Sequence, residues 1–336
     1  MKKSLIIALG AIALVACTKT SVSYEQTGEI GFAPVVRKNS TKAAVEGAVQ
    51  GTKFPEQNIK VFGYYDNSMP VGSAYKDGNF AVEYLPGVEF AKKGTNWAGA
   101  TTHYYWPKTG SMLFAGYSPV EFTGVTFSLA SNKFSVDTLV QPDFSATKDL
   151  LYAGRGTSVL GGTVDMVFSH ALSWVTVKAK AAAEKEIKIT NIKFVGLAAK
   201  GYSAGLPAWS VKEARELNVF APTSAFDVPA DTTLVESHKN CGLVFPQNLT
   251  DAAEIVVSYE MNNGAGKWFA QAPFVKKLNS LKSGTDTINK WEAGKHYTYI
   301  INFSTIKGGS DSSNEITINP SINDWTPVNV DGISAN

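Results

Sequence analysis

The side chains best able to hold a metal or carry a proton at neutral pH are four histidines, His103, His170, His238 and His296. None has a second histidine or a cysteine at metal-ligand spacing, and no HExxH occurs. His170 and His296 fall in strand-like stretches, where a hydrogen-bonded structural imidazole is expected. There is no GxSxG, no phosphate-binding GxxxxGK[ST], and no GxGxxG after a strand. "DNSMPVG" from Asp66 and "DSSNE" from Asp311 carry oxygens that suit calcium. Both lack the closing glutamate of an EF-hand loop and read as turns. The 29 acids leave room for a carboxylate pair of the glycosidase kind, which sequence alone does not exclude. Seven tryptophans could line a sugar platform, but Trp106, Trp174 and Trp291 lie in or beside strand patterns and are expected in the core. The expectation is a protein with no catalytic residues, no metal and no cofactor.

The two cysteines have different expected roles. Lys2 and Lys3 precede an apolar run, Leu5 to Val15, that is too short to span a bilayer. Residues 1–16 therefore read as an export signal. The run ends "LVAC", which resembles a bacterial lipobox, cut before Cys17 and acylated on it, with palmitate among the chains attached. More than one acyl chain anchors a protein stably, whereas one is marginal. Cys241 is then left without a disulfide partner. "NCGLVF" reads as a strand, and Cys241 as a small core hydrophobe.

Positioning falls to β-strands. Apolar residues alternate in "NIKVFGYY" from Asn58, "FSHALSWVTVKAKA" from Phe168, "EIVVSYEM" from Glu254, "KHYTYIINFS" from Lys295 and "EITINPSI" from Glu315. Asp77-Gly78-Asn79 is a hairpin signal. Only "VKEARELNVF" from Val211 and "AAAEKE" from Ala181 suggest a helical turn or two. The chain is expected to be all-β, built of β-sandwiches. Four glycines in Ala153–Gly162 suggest a linker. The expected division is a signal peptide over 1–16, a segment with a removable first strand over 17–37, and domains over 38–160 and 161–336. Hydrophobic residues at 44% and charged residues at 18% of 336 support folded cores over disorder. Without residues 1–16, 29 basic residues balance 29 acidic ones, which argues against a nucleic-acid partner.

One juxtaposition stands out. "EIGFAPVV", Glu29–Val36, puts Ile30, Phe32, Pro34 and Val36 on one face of a strand. Directly after it comes a polar stretch with Arg37, Lys38 and Lys42, open to a trypsin-like protease. Near the other terminus "EITINPSI", Glu315–Ile322, repeats the glutamate, isoleucine and proline in register. Its matching face is Ile316, Ile318, Pro320 and Ile322. This segment is either a strand that can be donated to another subunit or the last strand of its own domain. In the second case a donor would begin after Trp325.

Several stretches in order resemble the fimbrillin family, the type V pilus subunits of Bacteroidales. They are the lipobox, "FGYY" at Phe62–Tyr65, "YYWPKTGSMLFAGYSP" at Tyr104–Pro119, "KDLLYA" at Lys148–Ala153, "FSHALSWVTVKA" at Phe168–Ala179, "WEAGKHYTYIINF" at Trp291–Phe303 and "INPSINDW" at Ile318–Trp325. The resemblance implies two tandem transthyretin-like β-sandwich domains and no enzymatic activity. It implies export through the periplasm as an outer-membrane lipoprotein and removal of the N-terminal segment by an Arg- or Lys-specific protease. Arg37 stands at the family's usual position, with Lys38 or Lys42 as alternatives and Arg155 as a rival. It further implies polymerisation by donor-strand exchange with copies of itself and related subunits into a cell-surface fimbrium, which supports adhesion to a host protein or glycan. Two alternatives stay open: a tip or accessory adhesin of the same family, and a glycan-binding surface lipoprotein that never polymerises. The last would expose Trp97, Trp106 or Trp209 on one face.

Overall fold

The computed structural model describes residues 28–36, 52–54, 56–73, 80, 82–140, 144, 148–154, 158–181, 186–219, 225–229, 233–236, 242–262, 265–303 and 316–324. Cys17, Arg37, Lys38, Lys42, the turn at Asp77–Asn79, Arg155, His238, Cys241 and the segment from Trp325 lie outside the described residues.

The first strands are β1 (Gly31–Val36), β2 (Thr52–Lys53), β3 (Ile59–Asp66), β4 (Val82–Lys93), β5 (Asn96–Gly99), β6 (Ser111–Ser118), β7 (Val125–Ser128), β8 (Lys133–Val140), β9 (Leu151–Ala153) and β10 (Thr163–His170). There follow β11 (Ser173–Lys180), β12 (Ile187–Gly205), β13 (Ala208–Asn218), β14 (Phe226–Val228), β15 (Val235–Glu236), β16 (Gly242–Val244), β17 (Gln247–Asn248) and β18 (Glu254–Asn262). The last are β19 (Trp268–Ala270), β20 (Phe274–Lys277), β21 (Lys282–Ser283), β22 (Asp286–Thr287), β23 (Lys290–Trp291), β24 (Lys295–Asn302) and β25 (Thr317–Asp324). Apart from one 3-10 turn at Leu278–Ser280, regular structure among the described residues is β, as the alternating pattern requires.

The first unit is a sheet in the order β10-β9-β6-β3-β4-β5-β1, and β1 also pairs with β10. The sheet therefore closes on itself, and β1 is the strand that closes it. Side chains from across the ring meet inside: Phe32, Ile59, Val61, Leu85, Phe90, Phe114 and Phe168 form one buried cluster. β6 is buried along its whole length because both its faces are covered. Met112 and Phe114 face that cluster, while Ala115 and Tyr117 join a second one with Phe134, Val136 and Leu206.

The second unit is a two-sheet sandwich. β11, β24 and β25 supply Val175, Val177, Tyr297, Tyr299, Ile301 and Ile318 to one side of its core. β12 and β18 supply Ile187, Ile189, Phe194, Ile255 and Val257 to the other. The indole N–H of Trp291 donates to the Tyr299 hydroxyl at 2.8 Å, which satisfies two polar groups in this apolar interior. Burial pushes the Tyr297 phenol up to about 12.

Three sequence expectations change. The glycine-rich stretch is not a linker. Val159 exchanges backbone hydrogen bonds with Met112 at 2.8 Å each way, and Ser158 donates to Ser73 at 3.1 Å. These bonds tie the stretch to the first unit, and β10 beyond it completes that unit's ring. The boundary expected between 160 and 161 thus falls inside the first unit, and the chain passes to the second at Ala171–Leu172. Second, β7 and β8 leave the first unit's sheet: Val136, Leu139 and Val140 pair with the far end of β12 at Ser203, Gly201 and Lys200. Third, Val211–Asn218 is strand, not helix, because pairing with β12 outweighs local helix propensity.

Candidate strand-exchange groove

β1 occupies a slot with two different walls. On one side it runs parallel to β10 in an unbroken register from Gly31↔Thr163 to Val36↔Phe168. On the other side the wall is made of three short pieces. The loop before β6 comes first: the Ile30 N–H donates to the Tyr104 carbonyl at 2.7 Å, and the Trp106 N–H donates to the Gly28 carbonyl at 3.2 Å. Phe32 then pairs with Trp97 of β5. Val35 and Val36 pair with Lys53 and Thr52 of β2. β2 has no other strand partner among the described residues.

Side-chain placement follows the strand period. Ile30, Phe32 and Val36 are 0% exposed, and Pro34 is buried with them, while Gly31, Ala33 and Val35 are half-buried. The Phe32 ring meets Phe90 at 4.8 Å and Phe114 at 5.1 Å, both edge to face. Gly63 makes room behind this pocket: a Cβ there would lie 3.0 Å from Leu85 and 3.1 Å from Phe114. Further along, Phe54 packs on Phe168 at 4.8 Å and on Trp97 at 5.6 Å. At the leading end the Glu29 carboxylate meets His103 Nδ1 at 2.9 Å. At ~1.5–3 kcal/mol for each fully buried apolar side chain, the four inward residues contribute roughly 6–12 kcal/mol of gross burial. Taking β1 away would open the ring, bare this stripe and leave the β10 edge without its partner.

The C-terminal repeat of the pattern lies elsewhere. Residues 317–324 form β25, antiparallel to β24 from Asn302↔Thr317 to Lys295↔Asp324. Ile316 and Ile318 are 7% and 8% exposed in the second unit's core, Pro320 is buried opposite Tyr299, and Ile322 is 38% exposed. Among the described residues this is the last strand, and it pairs within the second unit.

The remaining candidates for chemistry are dispersed. His170 Nδ1 contacts the Asp149 carboxylate at 2.7 Å, beside β9. His296 stacks on Trp174 at 3.8 Å and shares a hydrogen bond with Thr176. Among the described residues no group of three His, Cys, Asp or Glu side chains is placed to hold a metal. Trp97 and Trp106 are 5% and 4% exposed, and the Trp209 indole donates to the Ala171 carbonyl, so these three do not form the exposed sugar platform of the glycan-binding alternative. Sequence reasoning did not find β10 as the parallel partner of β1, nor His103 as the partner of Glu29. Only the end of β10, from Phe168, falls in a stretch whose sequence reads as strand, and nothing in it names a partner.

Similar folds occur among solved structures. A Bacteroides uniformis protein named for cell adhesion is 16% identical, with 89% of this chain and 98% of that chain covered and a TM-score of 0.52. Proteins with the same designation from Bacteroides ovatus and Parabacteroides distasonis are 15% and 12% identical. The matches cover 89% and 90% of this chain and 98% of each of those, at a TM-score of 0.48 for both. No curated protein matches. Residues 41–325 match the family described as fimbrillin-like, and the chain belongs to that family.

Proposed function

We propose that this chain is a structural subunit of a cell-surface fimbrium, polymerised by donor-strand exchange and supporting adhesion. The observation that carries the reading is the position of β1. It is the closing strand of the first unit, and it ends at Val36, one residue before Arg37. Hydrolysis of the Arg37–Lys38 peptide bond, or of a bond after Lys38 or Lys42, separates β1 from β2 and the rest of the chain. A strand from a neighbouring subunit then takes the slot by β-augmentation. The partners are other copies and related fimbrial subunits. Negative-stain microscopy of the purified chain should show monomers before trypsin-like treatment and filaments after it. Filaments of equal length without any cut would overturn the reading.

Export precedes assembly in this scheme. Cys17 carries lipid and holds the precursor at the outer membrane. Cys17→Ser should abolish palmitate labelling and move nearly all of the protein to the soluble fraction. Unchanged labelling and fractionation would remove the lipid anchor from the scheme.

A further inference from the structure

We infer that the β12–β13 hairpin is a strap across the junction of the two units, latched by Leu206, and that it holds them as one rigid body. The backbone passes between the units at Ala171–Leu172, and such a crossing is a hinge unless something braces it. The brace comes from a strand of unusual length. β12 has 19 residues, Ile187–Gly205, and at ~3.3 Å per residue it reaches about 60 Å, well beyond an ordinary strand. The inference stands whether or not the chain polymerises; in a filament the strap makes each subunit a stiff segment.

The two ends of β12 serve different units. Ile187, Ile189, Ile192, Phe194, Leu197 and Ala199 bury in the second unit's core, and pairing with β18 runs from Ile187↔Met261 to Val195↔Glu254. Beyond Ala199 the partners change: Lys200, Gly201 and Ser203 pair with Val140, Leu139 and Val136 of β8. β7 and β8 in turn lie on the outer face of the first unit's sheet. There Phe127 meets Phe62 at 6.0 Å and Tyr64 at 5.9 Å, and Phe134 meets Phe62 at 6.0 Å. At the hairpin tip, Leu206 is buried with Ala115, Tyr117, Phe134 and Leu150 of the first unit, and its N–H donates to the Phe134 carbonyl at 2.8 Å. Ser203 shapes that tip: its hydroxyl donates to the Ala208 carbonyl at 2.7 Å and accepts the Gly205 N–H at 3.1 Å.

At its base the strap is fixed to the crossing itself. The Trp209 indole N–H donates to the Ala171 carbonyl at 2.7 Å, and the Trp209 ring packs on Phe245 at 5.0 Å. Gly201 allows this close packing, since a Cβ there would lie 2.8 Å from Phe245 and 3.1 Å from Trp209. Leu172, Leu243 and Phe245 form a buried cluster, and Leu139 of β8 and Val211 of β13 pack against it. The crossing, the first unit's hairpin and the strap therefore share one small core. Hydrogen bonds from Leu206 and Trp209 are directional, so they fix an angle that apolar contact alone would let slide. Bending at Ala171–Leu172 would break both bonds and draw Leu206 out of its pocket.

The test uses the full chain with spin labels on non-natural side chains in place of Lys108 and Lys276, exposed residues of the first and second units. Label-to-label distances in the otherwise wild-type chain should form one narrow distribution, and calorimetry should show one unfolding transition. The Leu206 amide should exchange with solvent as slowly as the core amides of either unit. Leu206→Ala should speed exchange at that position by about 30-fold or more, widen the distance distribution about twofold or more, and split the transition in two. Ser203→Ala removes two hydrogen bonds at the tip and no apolar side chain, and should speed the same exchange by about threefold to tenfold. If Leu206→Ala does not fold, the wild-type exchange rate and Ser203→Ala decide. A broad distribution or two transitions in wild type, rapid exchange at Leu206, or a folded Leu206→Ala variant as narrow and cooperative as wild type would overturn the inference.

Discussion

Arg37→Ala combined with Lys38→Ala and Lys42→Ala should give a folded monomer that forms no filaments under protease treatment that converts wild type completely. The reason lies in what the uncut chain has to surrender. With the link intact, β1 leaves its slot only as a loop anchored at β2, and it returns at the high effective concentration of a tethered strand. The roughly 6–12 kcal/mol of gross burial at its four inward residues then works against every incoming strand. The melting curve of the uncut variant, compared with uncut wild type, separates a loss of processing from a loss of folding. If the C-terminal segment is the donor, adding the variant to processed wild type should cap filaments and shorten them. Checking needs three readings: the N-terminal mass after protease, particle length by microscopy, and the melting curve. Filaments of wild-type length from a chain with residues 28–36 still attached would show that the slot is not the assembly site.

Much of the slot was legible because strands have a short, strict period. Ile30, Phe32, Pro34 and Val36 alternate in sequence, and all four turn to the core. A period of two predicts faces without any knowledge of partners. It says nothing about which strand lies alongside. β1 finds β10 more than a hundred residues away, in parallel, and only the closed ring makes that pairing obligatory. The same limitation explains the misplaced boundary. Glycines in Ala153–Gly162 were read as a linker, yet Ser158 and Val159 use their backbone groups to bond Ser73 and Met112. Glycine signals freedom of φ, and a crowded rim uses that freedom as readily as a linker does. Val211–Asn218 shows the third kind of failure. Its Lys, Glu, Ala and Arg favour helix locally, but β12 is long enough to template a partner along it. Glu29 and His103 are each visible in the sequence and not linkable, since a contact across loops leaves no spacing pattern.

A chain that ends at Trp325 should fold, be processed and accept a donor strand, yet donate none. Two segments are candidates for the donor role, and the pairing of the first bears on the choice. Glu315–Ile322 matches β1 in sequence, but in the folded chain its residues 317–322 already pair with β24 as part of β25. Pulling it out would uncover Ile316 and Ile318, at roughly 1.5–3 kcal/mol each, and would also bare the edge of β24 above Tyr297, Tyr299 and Ile301. That cost offsets part of what the segment would gain on entering a neighbour's slot. Residues 326–336, the other candidate, lie outside the described residues. Their eleven residues suffice for a slot occupied by nine, Gly28 to Val36, with Val328 and Val330 at strand spacing. Ile318→Asp is a poor probe of this question, because it would bury a carboxylate in the variant's own core and destabilise the second unit by several kcal/mol. The truncation removes none of the described core residues, and a melting curve checks that the second unit keeps its stability. Alone it should give processed monomers; mixed with full-length subunits it should shorten filaments in proportion to its share. Filaments of full length from the truncated chain alone would return the donor role to β25, and with it the requirement that the second unit lose its edge strand during assembly.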